Sequence, residues 1–402
     1  MKIRIKKAKN GLNIICAETP YLNKASLVVL VRGGSVYENK NNNGVFHLIE
    51  HSIFNGSKKY KNSEEIENKI SELGLIEDVQ TNKEFTKYSF GFHSKNSCEA
   101  LEFISEILLN PIFNEKQINK EKKIIAEELS LDANDNYRKF YIKSNKLLFK
   151  KNPLNLDPAG TKKSLSNLSA SSLKQIYQRY YVANNMVMVY AGNLPSEKIL
   201  SAIKENFAFL KKGEGAIYPK FKFERNKKFA ENSIKIGTDF NFISFAFLVS
   251  FSKQKDKDLI YLLKDIINKK IQDNLIFKEK MGYDLGVNVT EFEKIGLLDI
   301  CGGLTKNNKE KILKILKKEI FFLEITEMEF QQAKNKISDN FDLMLDNSFE
   351  LSEYLAFNLL DENKLITPQQ GKALFQKITL ADIQNFAKKI LTQENSFLFI
   401  AS

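Results

Sequence analysis

Residues 33–60 read GGSVYENKNNNGVFHLIEHSIFNGSKKY, and within them His47, Leu48, Ile49, Glu50 and His51 form the pattern H-x-x-E-H. The Gly33-Gly34 pair breaks a strand-like run, and the apolar spacing that follows predicts a helix from about Gly44 to Asn55. At about 100° per residue, positions 47 and 51 fall about 40° apart, so both imidazoles leave one face of that helix. Glu50 lies about 60° from His47 on the other side, within reach of anything held between the rings. Two neutral imidazoles one turn apart suit zinc, and a carboxylate beside them can activate water. Such a site needs a third protein ligand from elsewhere in the fold and one open position. The chain has three histidines, and the remaining one, His93, ends a predicted strand and reads as an ordinary strand-end residue.

Working outward, Asn13–Ala17 and Ala25–Arg32 read as strands. The cap pair Asn62 and Glu65 opens a helix that runs to Leu73, where Gly74 ends it. Glu84–Phe92 is a strand rich in β-prone bulk. Amphipathic segments follow at Ser97–Leu109, Glu115–Leu131, Tyr137–Phe149, Ser169–Tyr180 and Ser196–Leu210, with a buried strand at Met186–Ala191. Residues 211–228 combine Gly, Pro and charge without apolar periodicity and read as a connector. Beyond it the order repeats, with strands at Asn232–Ile236, Phe242–Ser250, Asp284–Glu291, Gly296–Gly302 and Ser396–Ala401. Helices are expected at Asp256–Lys269, Asn308–Leu323 and Glu327–Met344. The expected class is therefore α+β: two similar domains, residues 1–210 and 229–402, each a mostly antiparallel sheet with helices packed on one face. The second half has no histidine and cannot hold an equivalent site.

At 402 residues the chain exceeds what one core usually organises, and 43% apolar with 27% charged residues excludes a disordered or fibrous chain. The longest apolar run, Met186–Ala191, is far too short for a bilayer span, and no apolar segment precedes Asn10 to serve as a secretory signal. The net charge of +12 comes mostly from scattered lysines, since arginine occurs only at positions 4, 32, 138, 179 and 225. Diffuse lysine marks a solvated surface rather than a nucleic-acid interface, so neither nucleic acid nor membrane is expected as a partner. Cys16, Cys98 and Cys301 lie far apart, which argues against a disulfide framework or thiolate zinc site and suits a cytoplasmic protein.

The sequence around H-x-x-E-H resembles the pitrilysin and mitochondrial-processing-peptidase family, whose inverted zinc motif it shares. That family takes its third zinc ligand from a glutamate 76 or 77 residues beyond the second histidine, within E-x-x-x-x-x-x-E. Here Glu121 and Glu128 have that spacing, and 128 − 51 = 77. The resemblance implies one Zn2+ per chain held by His47, His51 and Glu128, with Glu50 as catalytic base and Glu121 supporting the ligands. It extends through Thr81, Glu84, Thr86 and Tyr88, then Asn152-Pro153, Gly160-Thr161, Tyr181, Asn184-Asn185-Met186 and Gly192-Asn193. It implies a metalloendopeptidase subunit acting on short peptides or unfolded polypeptide, with the substrate paired to a strand edge near Asp78, Val79 and Thr81.

Two departures bear on partners. Family members carry Asn-Ala at the edge strand, where this chain has Asp78-Val79. Active members also resemble R-E-K-x-G-L-x-Y in the second half; here Lys278 replaces the arginine and Leu285 the tyrosine. Leucine cannot donate to an oxyanion, leaving Lys278 and Tyr283 as candidate substitutes. The resemblance then implies a heterodimer with a homologous subunit that lacks the zinc motif and supplies Arg and Tyr, with a homodimer as the alternative. A non-catalytic structural subunit of the same fold is the rival reading.

Overall fold

Every residue of Met186–Gly192 is buried, because this apolar strand runs through the middle of a sheet covered on both faces. The computed structural model describes residues 1–221, 229–237, 241–279, 285–304, 308–362 and 365–401. In chain order the first elements are β1 (Lys2–Lys7), β2 (Asn13–Glu18), β3 (Lys24–Arg32), α1 (Val45–Ile53), α2 (Ser63–Leu73), β4 (Ile76–Thr81) and β5 (Phe85–His93). They continue with α3 (Ser97–Leu109), α4 (Glu115–Asp132), α5 (Asn136–Phe149), α6 (Lys162–Ser166), α7 (Ala170–Tyr180), β6 (Met186–Gly192) and α8 (Ser196–Asn206). The second half holds β7 (Ala230–Ile234), β8 (Asn241–Ser250), α9 (Gln254–Ile271), β9 (Gly286–Glu291) and β10 (Ile295–Leu304). It ends with α10 (Lys309–Phe321), α11 (Glu327–Leu343), α12 (Ser348–Glu362), α13 (Pro368–Phe375), α14 (Leu380–Ile390) and β11 (Ser396–Ala401).

The chain forms two compact units, each discontinuous in sequence. The first comprises residues 1–131, 156–221 and 342–368. Its sheet runs β1-β2-β6-β3-β5-β4, antiparallel throughout except for the parallel β2–β6 pair. The period-two alternation of strand side chains sends Leu27, Val29 and Val31 to one face, against Leu48 and Ile49 of α1 and Leu101 and Ile104 of α3. Val28, Leu30, Val187 and Val189 go to the other, where Leu351, Leu355 and Leu359 of α12 cover them. Ser26 Oγ adds a hydrogen bond to the Ser348 carbonyl, 2.6 Å, at the start of that helix.

The second unit comprises residues 132–155, 222–341 and 369–402. Its sheet runs β7-β11-β8-β10-β9, with only β7–β11 parallel. Phe245, Phe247, Leu298 and Ile300 pack with Ile260, Leu263 and Ile267 of α9, and α5 joins this unit through Phe140 stacked on Phe242. Two mostly antiparallel sheets with packed helices make the α+β class expected from the sequence.

Several details differ from the periodicity reading. Strand β1 and helices α12 to α14 are not announced by it, and β7 starts two residues earlier than expected. Helix α8 stops at Asn206 rather than Leu210, where the Leu210 carbonyl instead accepts from Asn10 Nδ2 at 2.9 Å. The described part of the connector lies along the first unit: the Gly213 and Ala216 amides donate to Asn184 Oδ1 and Asn185 Oδ1, both 2.8 Å. His93 Nδ1 accepts from the Lys95 amide, a local cap that accounts for its position at a strand end. The three cysteines are free, and among the described residues no helix is long and apolar enough to cross a membrane.

Because Leu355 is fully buried against the sheet, Leu355→Ala is expected to lower stability by roughly 2–5 kcal/mol, read from urea unfolding. A loss below about 1 kcal/mol would mean that α12 is not what seals this face.

Candidate metal centre

Helix α1 buries Val45, Phe46, Leu48, Ile49, Ser52 and Ile53, which leaves His47, Glu50 and His51 on its one half-buried face. Its start is set by Gly44 at φ +91°, a left-handed conformation in which a Cβ would also meet Gly160 Cα at 3.0 Å. Helix α4 buries only Ile118 and Ile125, two turns apart. Glu121 and Glu128 repeat that spacing about 60° around the helix, so anchoring the isoleucine stripe turns the acidic stripe toward α1.

The two helices converge on His51. Its Nδ1 lies 3.1 Å from Glu121 Oε2, and its Nε2 lies 3.3 Å from His47 Nε2 and 3.9 Å from Glu128 Oε1. The Glu121 side chain is 12% exposed and that of Glu128 45%, so one carboxylate is enclosed while the other borders open space. Thr81, at the end of β4, donates its hydroxyl to Glu50 Oε2 at 2.5 Å. Ligand atoms of His47, Glu50 and His51 all lie within 4.8 Å of one another.

Burial makes charge expensive here, and the neighbours decide who carries it. Burial, seconded by the nearby His51, lowers the His47 imidazole to about 4. Burial also opposes protonation of His51, but the Glu121 hydrogen bond and the charges of Glu50 and Glu128 outweigh it and raise that imidazole above its ordinary value. Burial raises the Glu50 carboxyl, against the pull of the Thr81 hydroxyl and of His51.

A carboxylate at Nδ1 makes that nitrogen the donor, which turns the lone pair of His51 Nε2 toward His47 Nε2. His47 Nδ1 is buried without a hydrogen-bond partner among the described residues, so the Nε2–Nε2 hydrogen bond to His51 is the contact left to this ring. The separation of the two Nε2 atoms, 3.3 Å, matches the edge of a tetrahedral zinc site, which bonds of about 2.0–2.1 Å set at about 3.3–3.4 Å. The donor set of imidazole and carboxylate fits zinc in chemistry as well as spacing.

Of the residues singled out in the sequence, His47, Glu50, His51, Thr81, Glu121 and Glu128 come together. Asp78 and Val79 lie on β4, the last strand of the first sheet. Asp78 accepts from Lys87 Nζ at 2.8 Å, and Lys87 also donates to Glu353 Oε1 at 2.6 Å. Val79 packs half-buried against the first core. Lys278 ends the turn that follows α9, but its side chain lies outside the described residues, as does all of Tyr283. Leu285 is 4% exposed and belongs to the second core. Sequence reasoning did not find Lys87; the signal is its diagonal position to Asp78 across β4 and β5, visible only once the register is known.

Residues 13–156 match the profile of Insulinase (Peptidase family M16), and residues 167–337 match the Peptidase M16 inactive domain. The chain belongs to the M16 peptidase family. An uncharacterized zinc protease of Rickettsia felis is 26% identical over 395 residues, 96% of this chain and 95% of that protein. The mitochondrial-processing peptidase subunit beta of Dictyostelium discoideum is 23% identical, over 96% of this chain and 86% of its own length. In fold, a protease from Helicobacter pylori superposes with a TM-score of 0.89 at 19% identity, covering 100% of this chain and 99% of that one.

With three histidines, the imidazole signals can be followed individually by NMR in chelator-treated protein. His47 is expected to titrate near pH 4; its stabilising contribution is present above about 6.5 and lost as pH falls through about 4. His51 is expected to titrate above about 6.5, contributing below that value and losing the contribution as pH rises through its raised pKa. The reverse order of the two titrations would show that the Glu121 contact does not form in solution.

Proposed function

We propose that the chain is the zinc-bearing subunit of a metalloendopeptidase, with His47, His51 and Glu128 as metal ligands and Glu50 as general base. The observation that carries this reading is the approach of the two Nε2 atoms to 3.3 Å, with the Glu128 carboxylate 3.9 Å from one of them. Zinc, when bound, supplies a Lewis acid that polarises the scissile carbonyl and acidifies water. Glu50 takes the proton from the attacking water and returns it to the leaving amine; the Thr81 hydroxyl fixes its carboxylate, and burial holds its basicity above that of an exposed glutamate. Glu121 holds the His51 ring in the tautomer that presents Nε2. Glu128, half exposed, borders the open side from which substrate enters.

The outer edge of β4 is free among the described residues, and β4 ends at Thr81, beside Glu50. An extended peptide added to that edge pairs through its backbone, which favours short or unfolded chains over any one sequence. The negative charge at Asp78 is balanced by Lys87, so it does not stand uncompensated against that peptide. The free cysteines are consistent with a cytoplasmic location.

Leu285 supports a second subunit. The position that carries a tyrosine in active relatives is here a core leucine, which offers no donor to an oxyanion. The partner is proposed to be a homologous subunit without the metal motif that supplies an Arg/Tyr pair.

Purified chain is expected to hold about one zinc, measured by atomic absorption; His51→Ala removes it. Glu50→Gln is expected to keep the metal and lower peptide hydrolysis by roughly 100-fold or more. Activity that survives this substitution would remove Glu50 as the base. A homologous subunit with the Arg/Tyr pair is expected to raise hydrolysis of an unfolded substrate by roughly 100-fold over the isolated chain. Equal rates with and without it would end the two-subunit reading.

A further inference from the structure

Helix α1 spans nine residues, Val45–Ile53, and its N-cap, Gly44, has no side chain with which to satisfy the first-turn amides. The acceptor comes from upstream. Glu38 is 8% exposed, and its Oε2 accepts from Asn43 Nδ2 at 2.7 Å and from the Gly44 amide at 2.8 Å. Its Oε1 accepts from the Phe46 amide at 3.1 Å. Asn43 Nδ2 also donates to the Asp157 carbonyl at 2.8 Å, which seats the 156–161 loop on the helix start. Gly160 belongs to the same seat, since a Cβ there would meet Asn43 O at 2.6 Å.

We propose that Glu38 is the positioning residue of the metal helix, its carboxylate pinning the first turn of α1 so that His47 stays at ligand separation from His51. The proposal rests on the metal reading above and deepens it. Both carboxylate oxygens receive donors, three in all, and only an acceptor-only group can meet them. An amide in the same place would turn one NH2 against a donor, and an aspartate would fall one methylene short. Burial raises the Glu38 carboxyl to about 7, and the Asn43, Gly44 and Phe46 donors and the positive end of the helix dipole pull the other way, toward the ionised form.

The position of the pin explains its leverage. Glu38 bonds the amide of Phe46, and His47 follows immediately, still in the first turn. His51, one turn later, is held independently by Glu121. Fraying of so short a helix at its start therefore moves one ligand and not the other, and opens the 3.3 Å gap.

The test compares Glu38→Gln with Asn62→Ala, which removes a side-chain cap from α2 in the same unit and away from the metal helix. In metal-free protein, hydrogen exchange of the α1 amides is expected to quicken at least about 10-fold in Glu38→Gln and to stay at the wild-type rate in Asn62→Ala. Zinc affinity, measured by competition with a chromophoric chelator, is expected to fall roughly 10–100-fold in Glu38→Gln alone. If Glu38→Gln does not fold, Glu38→Asp, which keeps the charge but draws the oxygens back, takes its place with the same expectation. A folded Glu38 variant that binds zinc like the wild type overturns the proposal, whether or not α1 exchange has quickened. A wild-type chain that takes up no zinc sinks the metal reading instead, and the exchange arm then decides the pinning of α1.

Discussion

The contact between His51 and Glu121 joins two helices through residues 70 apart in sequence, and the rest of the site is arranged around it. Helix α1 is buried on every side but one, and that side carries two imidazoles and a carboxylate. Polar groups so placed destabilise the fold unless each finds a partner. Glu121 supplies one for His51, and Thr81 supplies one for Glu50. The atom left without a partner among the described residues is His47 Nδ1, while the His47 and His51 Nε2 atoms face each other at 3.3 Å. A cation between them would take the place of the Nε2–Nε2 hydrogen bond, with α1 supplying both imidazoles and α4 the carboxylate that orients His51.

Two features adjust what the family pattern implies for this chain. Asp78, where the resemblance implies asparagine, is tied to Lys87 and through it to Glu353 of α12. The charge introduced on the edge strand is thus answered by a cation drawn in from the neighbouring strand. The substitution at Leu285 is answered differently. That side chain enters the second core, where it packs as an ordinary apolar residue.

Much of this could be read before the fold was known, and the limits have physical causes. The spacing of His47, Glu50 and His51 places them on one helix face by number alone. The apolar run at 186–191 reads as a buried strand, although the sequence leads one to expect helices on only one face of its sheet and α12 covers the other. A glutamate-rich stretch such as 115–132 otherwise reads as a solvated face. What selects Glu121 and Glu128 is the burial of Ile118 and Ile125, and their partners lie in other elements. Lys87 is one lysine among many until strand register sets it diagonal to Asp78. Glu38 is similar, since a carboxylate that caps a helix from six residues upstream follows no local capping spacing. Segment 348–362 is not announced as a helix, because the sheet that buries its Leu351, Leu355 and Leu359 lies in the first half of the chain.

That last feature has a consequence for how the protein is made. The face formed by Val28, Leu30, Val187 and Val189 is complete once β6 has left the ribosome, while its cover, α12, is synthesised long afterwards. At roughly 5–20 residues per second the gap lasts on the order of ten seconds. Throughout it a nascent chain presents a broad oily plane with unpaired strands at its rim, which makes this interval the natural point of chaperone capture.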